Sequence, residues 1–234
     1  MNPPDEIKIA AGGKLLSGFL EIPEGARGLV VFVHGSGSSR FSPRNQAVAR
    51  CIADGGLGTL LFDLLTPEEE ELDQRTAELR FDIEFLCERL VHVTGWLLEH
   101  VGPDQPPIGY FGSSTGAAAA LAAAALFQTQ VHAVVSRGGR PDLASASLGE
   151  VQAPTLLLVG GKDTQVLELN RQALSRLTCE KELRIIPGAT HLFEEPGTLS
   201  QVATLARDWF RAHLADREPN RGANAFDTLE EGID

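Results

Sequence analysis

Ile108-Gly109-Tyr110-Phe111-Gly112-Ser113-Ser114-Thr115-Gly116, followed by the alanine-rich Ala117 to Phe127, is the stretch on which the fold turns. A short apolar run reads as a buried strand, and a glycine-bounded turn then hands over to a helix. The pattern in the turn is G-x-S-x-G, with Ser114 at its centre. The central residue of such a turn is strained, and the positions two residues away on either side must be small, because strand and helix backbones pass close together there. The turn lifts the Ser114 hydroxyl out at the C-terminal edge of the sheet. It also leaves Thr115 N–H at a helix start, pointing at a developing oxyanion. A serine–glycine turn without chemistry is the bland alternative. Ser113 is a poor competitor, because the glycines would have to be displaced by one position.

The same alternation extends on both sides of this unit. Gly28 to Val33, Thr59 to Phe62, Val131 to Val135, Thr155 to Val159 and Leu183 to Ile186 are short apolar runs that read, with Ile108 to Phe111, as strands buried on both faces. Helical character falls on Pro43 to Asp54, Leu72 to Val101, Thr115 to Phe127, Val166 to Leu177 and Thr198 to His213. Strand and helix alternate, which predicts an α/β, doubly wound, mostly parallel sheet with helices on both faces. Ile7 to Ala10 and Leu15 to Ile22, split by Ala11-Gly12-Gly13, predict a short antiparallel N-terminal edge. The acids Glu68 to Glu71 read as a solvated cap ahead of the long helix. At 234 residues one domain is expected over residues 1–216, with 217–234 a mobile tail of mixed charge, Gly, Pro and Asn.

Composition narrows the partners. There are 32 acidic and 20 basic side chains, a formal charge of −12, which would repel a phosphate backbone, so no nucleic acid partner is expected. Asp5 and Glu6 stand where a signal peptide would need a basic patch, and the longest apolar stretch falls short of the roughly 20 residues of a membrane span. Cys51, Cys87 and Cys179 are odd in number and widely spaced, which fits a reducing, cytoplasmic setting and offers no zinc-type pairing.

An exposed serine needs a base, and in this fold's chain order an acid and then a histidine follow the serine. His191, in the loop Pro187 to Phe193 after the last predicted strand, is the candidate base. It could instead only cap the final helix. His213, on the amphipathic last helix, reads as a surface residue. Asp163 follows Thr155 to Val159 through Gly160-Gly161-Lys162 and is the candidate acid, with an N-cap for the next helix as its structural alternative. Asp142, after the preceding strand, is the other carboxylate that could serve. The glycine-rich His34-Gly35-Ser36-Gly37-Ser38-Ser39 after an early strand supplies a second oxyanion donor, so Ser36 N–H and Thr115 N–H take that role. No G-x-x-x-x-G-K-[ST] or G-x-G-x-x-G pattern supports a nucleotide loop instead. His34 precedes the acid and is expected to hold its loop by hydrogen bonds.

These residues resemble the α/β-hydrolase superfamily, and more closely its small members related to dienelactone hydrolase, over about Ile7 to Leu214. His34-Gly35, Gly112 to Gly116, Asp163 and His191 match the pattern. The resemblance implies a small-molecule acyl substrate, hydrolysis through an acyl-enzyme, no metal and no organic cofactor. Dienelactone hydrolases use a cysteine nucleophile, whereas this chain has Ser114, so dienelactone specificity is not implied. Only about eighteen residues separate Ser136 from Thr155, so no sizeable lid fits there and the site should be open, suited to small esters, lactones or thioesters. Arg137 and Arg140 could hold a substrate carboxylate or pair with acids such as Asp142 and Asp63. A thioesterase or peptidase with the same triad, or a non-catalytic binding protein of the same fold, are the competing readings.

Overall fold

The computed structural model describes residues 5–101 and 106–214. The expected tail at 217–234 lies outside them. Eight strands, β1 (Asp5–Ala11), β2 (Lys14–Glu21), β3 (Leu29–Val33), β4 (Gly58–Phe62), β5 (Ile108–Ser113), β6 (Val131–Arg137), β7 (Thr155–Gly160) and β8 (Lys181–Ile186), form one sheet in the order β1-β2-β4-β3-β5-β6-β7-β8. β1 and β2 are the antiparallel edge, turning at Gly12 and Gly13, both with positive φ. From β4 to β8 all pairs are parallel. Among the described residues no helix is long and apolar enough to cross a membrane.

Helices cover both faces. On one lie α1 (Pro43–Asp54) and α6 (Thr198–Leu214), packed over Val30, Phe32, Phe111, Ala133 and Val135. On the other lie α3 (Ile83–His100), α4 (Thr115–Leu126) and α5 (Thr164–Arg176), over Val31, Val33, Tyr110, Val134 and Leu157. α4 is buried almost all round, and its alanines let it approach the sheet closely.

Two expectations need correction. The stretch Leu72 to Val101 is not one helix but α2 (Pro67–Thr76), a 3-10 turn over Leu79–Phe81, and α3. Thr66 and Glu69 close a capping box that starts α2 upstream of Leu72, Ala77 ends it in the left-handed region at φ 56°, and Asp82 accepts from Phe85 N–H to start α3. The acids Glu68 to Glu70 therefore sit in the first turn of their own short helix. The second correction concerns β8. It is an edge strand with Arg184 and Ile185 exposed, so its apolar residues do not face a covered sheet on both sides.

Candidate active site

The turn between β5 and α4 holds Ser114 at φ 51° and ψ −119°, a conformation that L side chains rarely adopt and that costs of order 1–3 kcal/mol. Its flanking glycines are sterically required. A Cβ on Gly112 would stand 2.4 Å from Ala117 Cα, and one on Gly116 would stand 2.3 Å from the carbonyl oxygens of Val33 and His34. Gly112→Ala is expected to destabilise the protein by about 1–3 kcal/mol and to displace Ser114. Urea unfolding read beside activity checks this, and a variant unchanged in both would refute the close approach. Ser113, the competitor, is buried in β5 and donates to Asn45 Oδ1 at 3.3 Å.

Residues after β6 connect the turn to the histidine loop. Ser114 N–H donates to Arg137 O at 3.2 Å and Arg140 N–H to Ser114 O at 3.1 Å, while Gly138 faces His191, whose Cε1 lies 3.5 Å from where a Gly138 Cβ would be. Gly160, at the end of β7, lets the loop pass: a Cβ there would be 2.5 Å from Ala189 O. That close passage brings His191 Nδ1 to 2.6 Å from Asp163 Oδ2. Asp163 occupies the N-cap position of α5 but makes no side-chain capping bond, so its carboxylate serves the imidazole and not the helix. Asp142 is taken up elsewhere, receiving Arg140 Nε and Nη2 at 2.8 Å each. His213, on α6, is not the surface residue expected: its side chain is largely covered, against the Trp209 ring and 3.7 Å from Glu180, the residue before β8.

The loop after β3 reaches the same place. Gly35 packs so tightly that a Cβ would be 3.0 Å from Ser114 Cβ. Ser36 N–H, expected to aim at an oxyanion, is engaged: it donates to Thr115 Oγ1 at 3.1 Å, and Ser36 Oγ lies 3.0 Å from the same hydroxyl. Thr115 N–H is at the first helical position, where no intrahelical partner exists.

His34 is a structural pin. Leu64 N–H donates to Nε2 at 3.0 Å, which leaves Nδ1–H to donate to Gly35 O at 3.0 Å. Burial holds its pKa below the ordinary value of 6.5, with the Gly35 hydrogen bond and the charges of Asp63 and Glu70 acting the other way. As pH falls through 6.5 the unfolded chain takes up this proton and the folded one does not, so stability falls on the acid side. The gap in melting temperature between wild type and His34→Gln should therefore narrow from pH 7.5 to pH 5. A constant gap would show that the ring is not held neutral.

Three supports went unseen in the sequence. Asp63 accepts Arg40 N–H at 2.7 Å and pairs with the Arg40 guanidinium, which also meets Glu6 at 3.1 Å, fixing the loop after Gly35. Asp73, buried on α2, accepts Arg80 N–H at 3.0 Å and Nε at 2.6 Å, and Arg80 O accepts from Ser36 Oγ at 3.3 Å. Glu69 pairs with Arg89 at 2.8 Å. Between β6 and β7 there are only two short 3-10 turns, Pro141–Ala144 and Leu148–Glu150, and no large lid. The wall beside the Ser36 loop comes instead from α2 and its neighbours. A cleft of about 390 Å³ there is lined by Leu15, Phe41, Leu65 and Glu70 together with Gly37 to Arg40.

In comparison with known proteins, the Dienelactone hydrolase family matches residues 16–215. The chain belongs to the dienelactone hydrolase family. It is thus a member of a hydrolase family with the α/β-hydrolase fold. A crystal structure of dienelactone hydrolase from Anabaena variabilis is similar at 54% identity and TM-score 0.88, covering 91% of this chain and 100% of that one. Est1E from Butyrivibrio proteoclasticus shares the fold alone, at 15% identity and TM-score 0.75, covering 88% of this chain and 98% of that one. Proteins of two Mycobacterium tuberculosis strains named "Putative phosphoribosyl transferase" are 56% identical over 222 residues, 94% of this chain and 49% of theirs. The chain therefore spans about half the length of these curated relatives.

Proposed function

We propose that this family member cleaves small esters, lactones or thioesters through an acyl-enzyme on Ser114. The observation that carries the reading is the 2.6 Å contact between Asp163 and His191, made at the sheet edge where Ser114 is held in its strained turn. In this reading Ser114 Oγ attacks the acyl carbon while His191 Nε2 takes its proton. Asp163 accepts the Nδ1–H bond, fixes the tautomer and stabilises the imidazolium. His191 then protonates the leaving oxygen or sulfur, the acyl–leaving group bond breaks, and a water activated by the same imidazole releases the acid and restores Ser114. Thr115 N–H and Ser36 N–H receive the oxyanion. The Thr115 hydroxyl holds the second donor in place until the substrate oxygen displaces it.

Serine, not cysteine, is the nucleophile in this reading, since none of the three cysteines lies in the turn, and burial pushes the Cys87 thiol up to about 11. The transferase name of the mycobacterial relatives belongs to proteins about twice as long, and nothing in this turn, base and acid supports moving a phosphoribosyl group. A thioesterase or peptidase would use the same atoms, and a substrate panel separates them. The decisive experiment is labelling with a fluorophosphonate followed by peptide mapping. A single adduct on Ser114 is expected. An active protein that is not labelled there overturns the reading, and a protein inert to both probe and panel returns it to a binding role.

A further inference from the structure

The cleft of about 390 Å³ beside the Ser36 loop is of a size that holds small ligands, and the proposed chemistry gives most of its walls no task. Leu15 comes from β2, Gly37 to Phe41 from the loop after β3, Asp63 and Leu65 from the loop after β4, and Glu70 from the first turn of α2. Two of these walls are large apolar side chains facing water: Leu15 is 65% exposed and Phe41 57%. Phe41 is nonetheless fixed. Its ring meets the Phe19 ring edge-on at 5.3 Å and carries the Arg40 guanidinium 4.2 Å from its centre, and Arg40 is itself tied to Asp63 and Glu6. A fixed apolar wall on a cleft receives a ligand at little ordering cost.

Position relative to Ser114 decides which part of a substrate this cleft takes. Gly37 lines it and adjoins Ser36, the proposed oxyanion donor, so the cleft begins about one Cα spacing, roughly 3.8 Å, from that donor. A cavity of about 10 Å³ bounded by Ser36 and Thr115 shares His34, Gly37, Ser38, Leu65 and Glu70 with it. In the sheet, β3 and β4 lie on one side of β5 and β6 to β8 on the other. His191, which follows β8, therefore reaches Ser114 from the side away from the cleft. The leaving atom must face His191 Nε2 to be protonated, and the acyl group is left to point into the cleft.

Charge narrows what fits. Of the three charged residues in the lining, Arg40 and Asp63 neutralise each other. Glu70 pairs with no cation among the described residues, and its carboxylate accepts only the Gln74 side-chain amide, at 3.3 Å. Its charge is felt at the inner end, where it acts on His34. An anionic group in the cleft would meet like charge. We propose that this cleft is the acyl pocket, with Leu15, Phe41 and Leu65 as its apolar walls, and that Glu70 makes it select uncharged acyl groups over anionic ones. The proposal rests on the hydrolytic reading and deepens it: the substrate class is an ester or thioester of an uncharged, apolar acid longer than acetic.

The test compares kcat/KM for three 4-nitrophenyl esters: acetate, hexanoate and the mono-ester of adipic acid, the last two differing only in the terminal carboxylate. Wild type should favour hexanoate over acetate by at least about tenfold, since each buried methylene contributes up to about 0.8 kcal/mol and a half-open cleft realises a fraction of that. Phe41→Ala and Leu15→Ala should each cut this ratio about threefold or more. Glu70→Gln should raise the adipyl-to-hexanoyl ratio by about threefold at low salt and by less at high salt. Leu15 and Phe41 are exposed, so their variants should fold, and melting curves check all three. A wild type that turns over hexanoate no better than acetate overturns the proposal, as does a hexanoyl-to-acetyl ratio unmoved in both Phe41→Ala and Leu15→Ala. An adipyl-to-hexanoyl ratio unmoved in Glu70→Gln overturns the role given to Glu70. A chain-length preference found only on the alcohol side, between ethyl and hexyl acetates, and lost in Phe41→Ala, overturns the acyl assignment. Ser114 labelled by a fluorophosphonate with flat ratios discards this pocket alone, whereas a protein neither labelled nor active discards the hydrolytic reading and the pocket with it.

Discussion

Ser114→Ala is expected to lower kcat for a short-chain aryl ester by a factor on the order of 10⁶, the loss seen when a triad nucleophile is removed, with the fold unchanged. The reason for the second half is local. Alanine keeps the Cβ that packs against Gly35 and asks the backbone for the same φ of 51°, so neither the turn nor its strain is altered. The backbone bonds from Ser114 N–H to Arg137 O and from Arg140 N–H to Ser114 O do not involve the hydroxyl. Ser113→Ala is the control. It removes one buried bond to Asn45 and should cost some stability but little turnover. Purified, folded Ser114→Ala protein with wild-type activity would remove Ser114 from the chemistry altogether.

The parts of this molecule legible in the sequence are those fixed by contacts between chain neighbours. Gly112 and Gly116 flag the turn because each sits where another backbone passes within van der Waals contact, and no other residue type satisfies that. Alternating apolar runs and helical segments gave away the sheet for a similar reason, since period and burial are written into consecutive residues. The break at Ala77 to Asp82 was hidden. Alanine is a strong helix former and is rarely found at positive φ, so nothing in its identity marks a helix end. What stabilises the break is the Asp73–Arg80 pair, and a pair of charged residues seven apart looks like any solvated helix face.

Partner choice among charged residues was equally illegible. Asp63 and Arg140 each had several candidate partners, and only the fold decides that Asp63 goes to Arg40 and Arg140 to its near neighbour Asp142. The same pairing leaves the buried Nε and Nη1 of Arg137 without a partner among the described residues. Its isolation is a property of what the surrounding elements do not present, and a linear sequence with acids close by on both sides conceals it. β8 misled in the opposite direction. Its apolar run is real, but being last in the strand order it has a neighbour on one side only.

Asp163→Asn should lower kcat by about 10³–10⁴, in line with the effect of an aspartate-to-asparagine change in serine triads, with a much smaller change in KM. Asn can occupy the same volume and can still present an oxygen to His191 Nδ1. It cannot supply the negative charge that favours the imidazolium, and its amide can instead donate to Nδ1, moving the ring proton to Nε2, where it blocks proton uptake from Ser114. Because Asp163 makes no helix-capping bond, the change removes no support from α5, and the melting temperature should move little. Asp142→Asn provides the contrast. Its carboxylate is committed to Arg140 through two 2.8 Å bonds and so does not serve His191, and the loss should amount to a few-fold at most, through loosening of the loop that accepts Ser114. Steady-state kinetics on the two variants side by side, with unfolding monitored for each, separates these roles. A crippled Asp142→Asn beside a nearly normal Asp163→Asn would mean that the histidine loop rearranges during turnover and that the 2.6 Å contact belongs only to the resting enzyme.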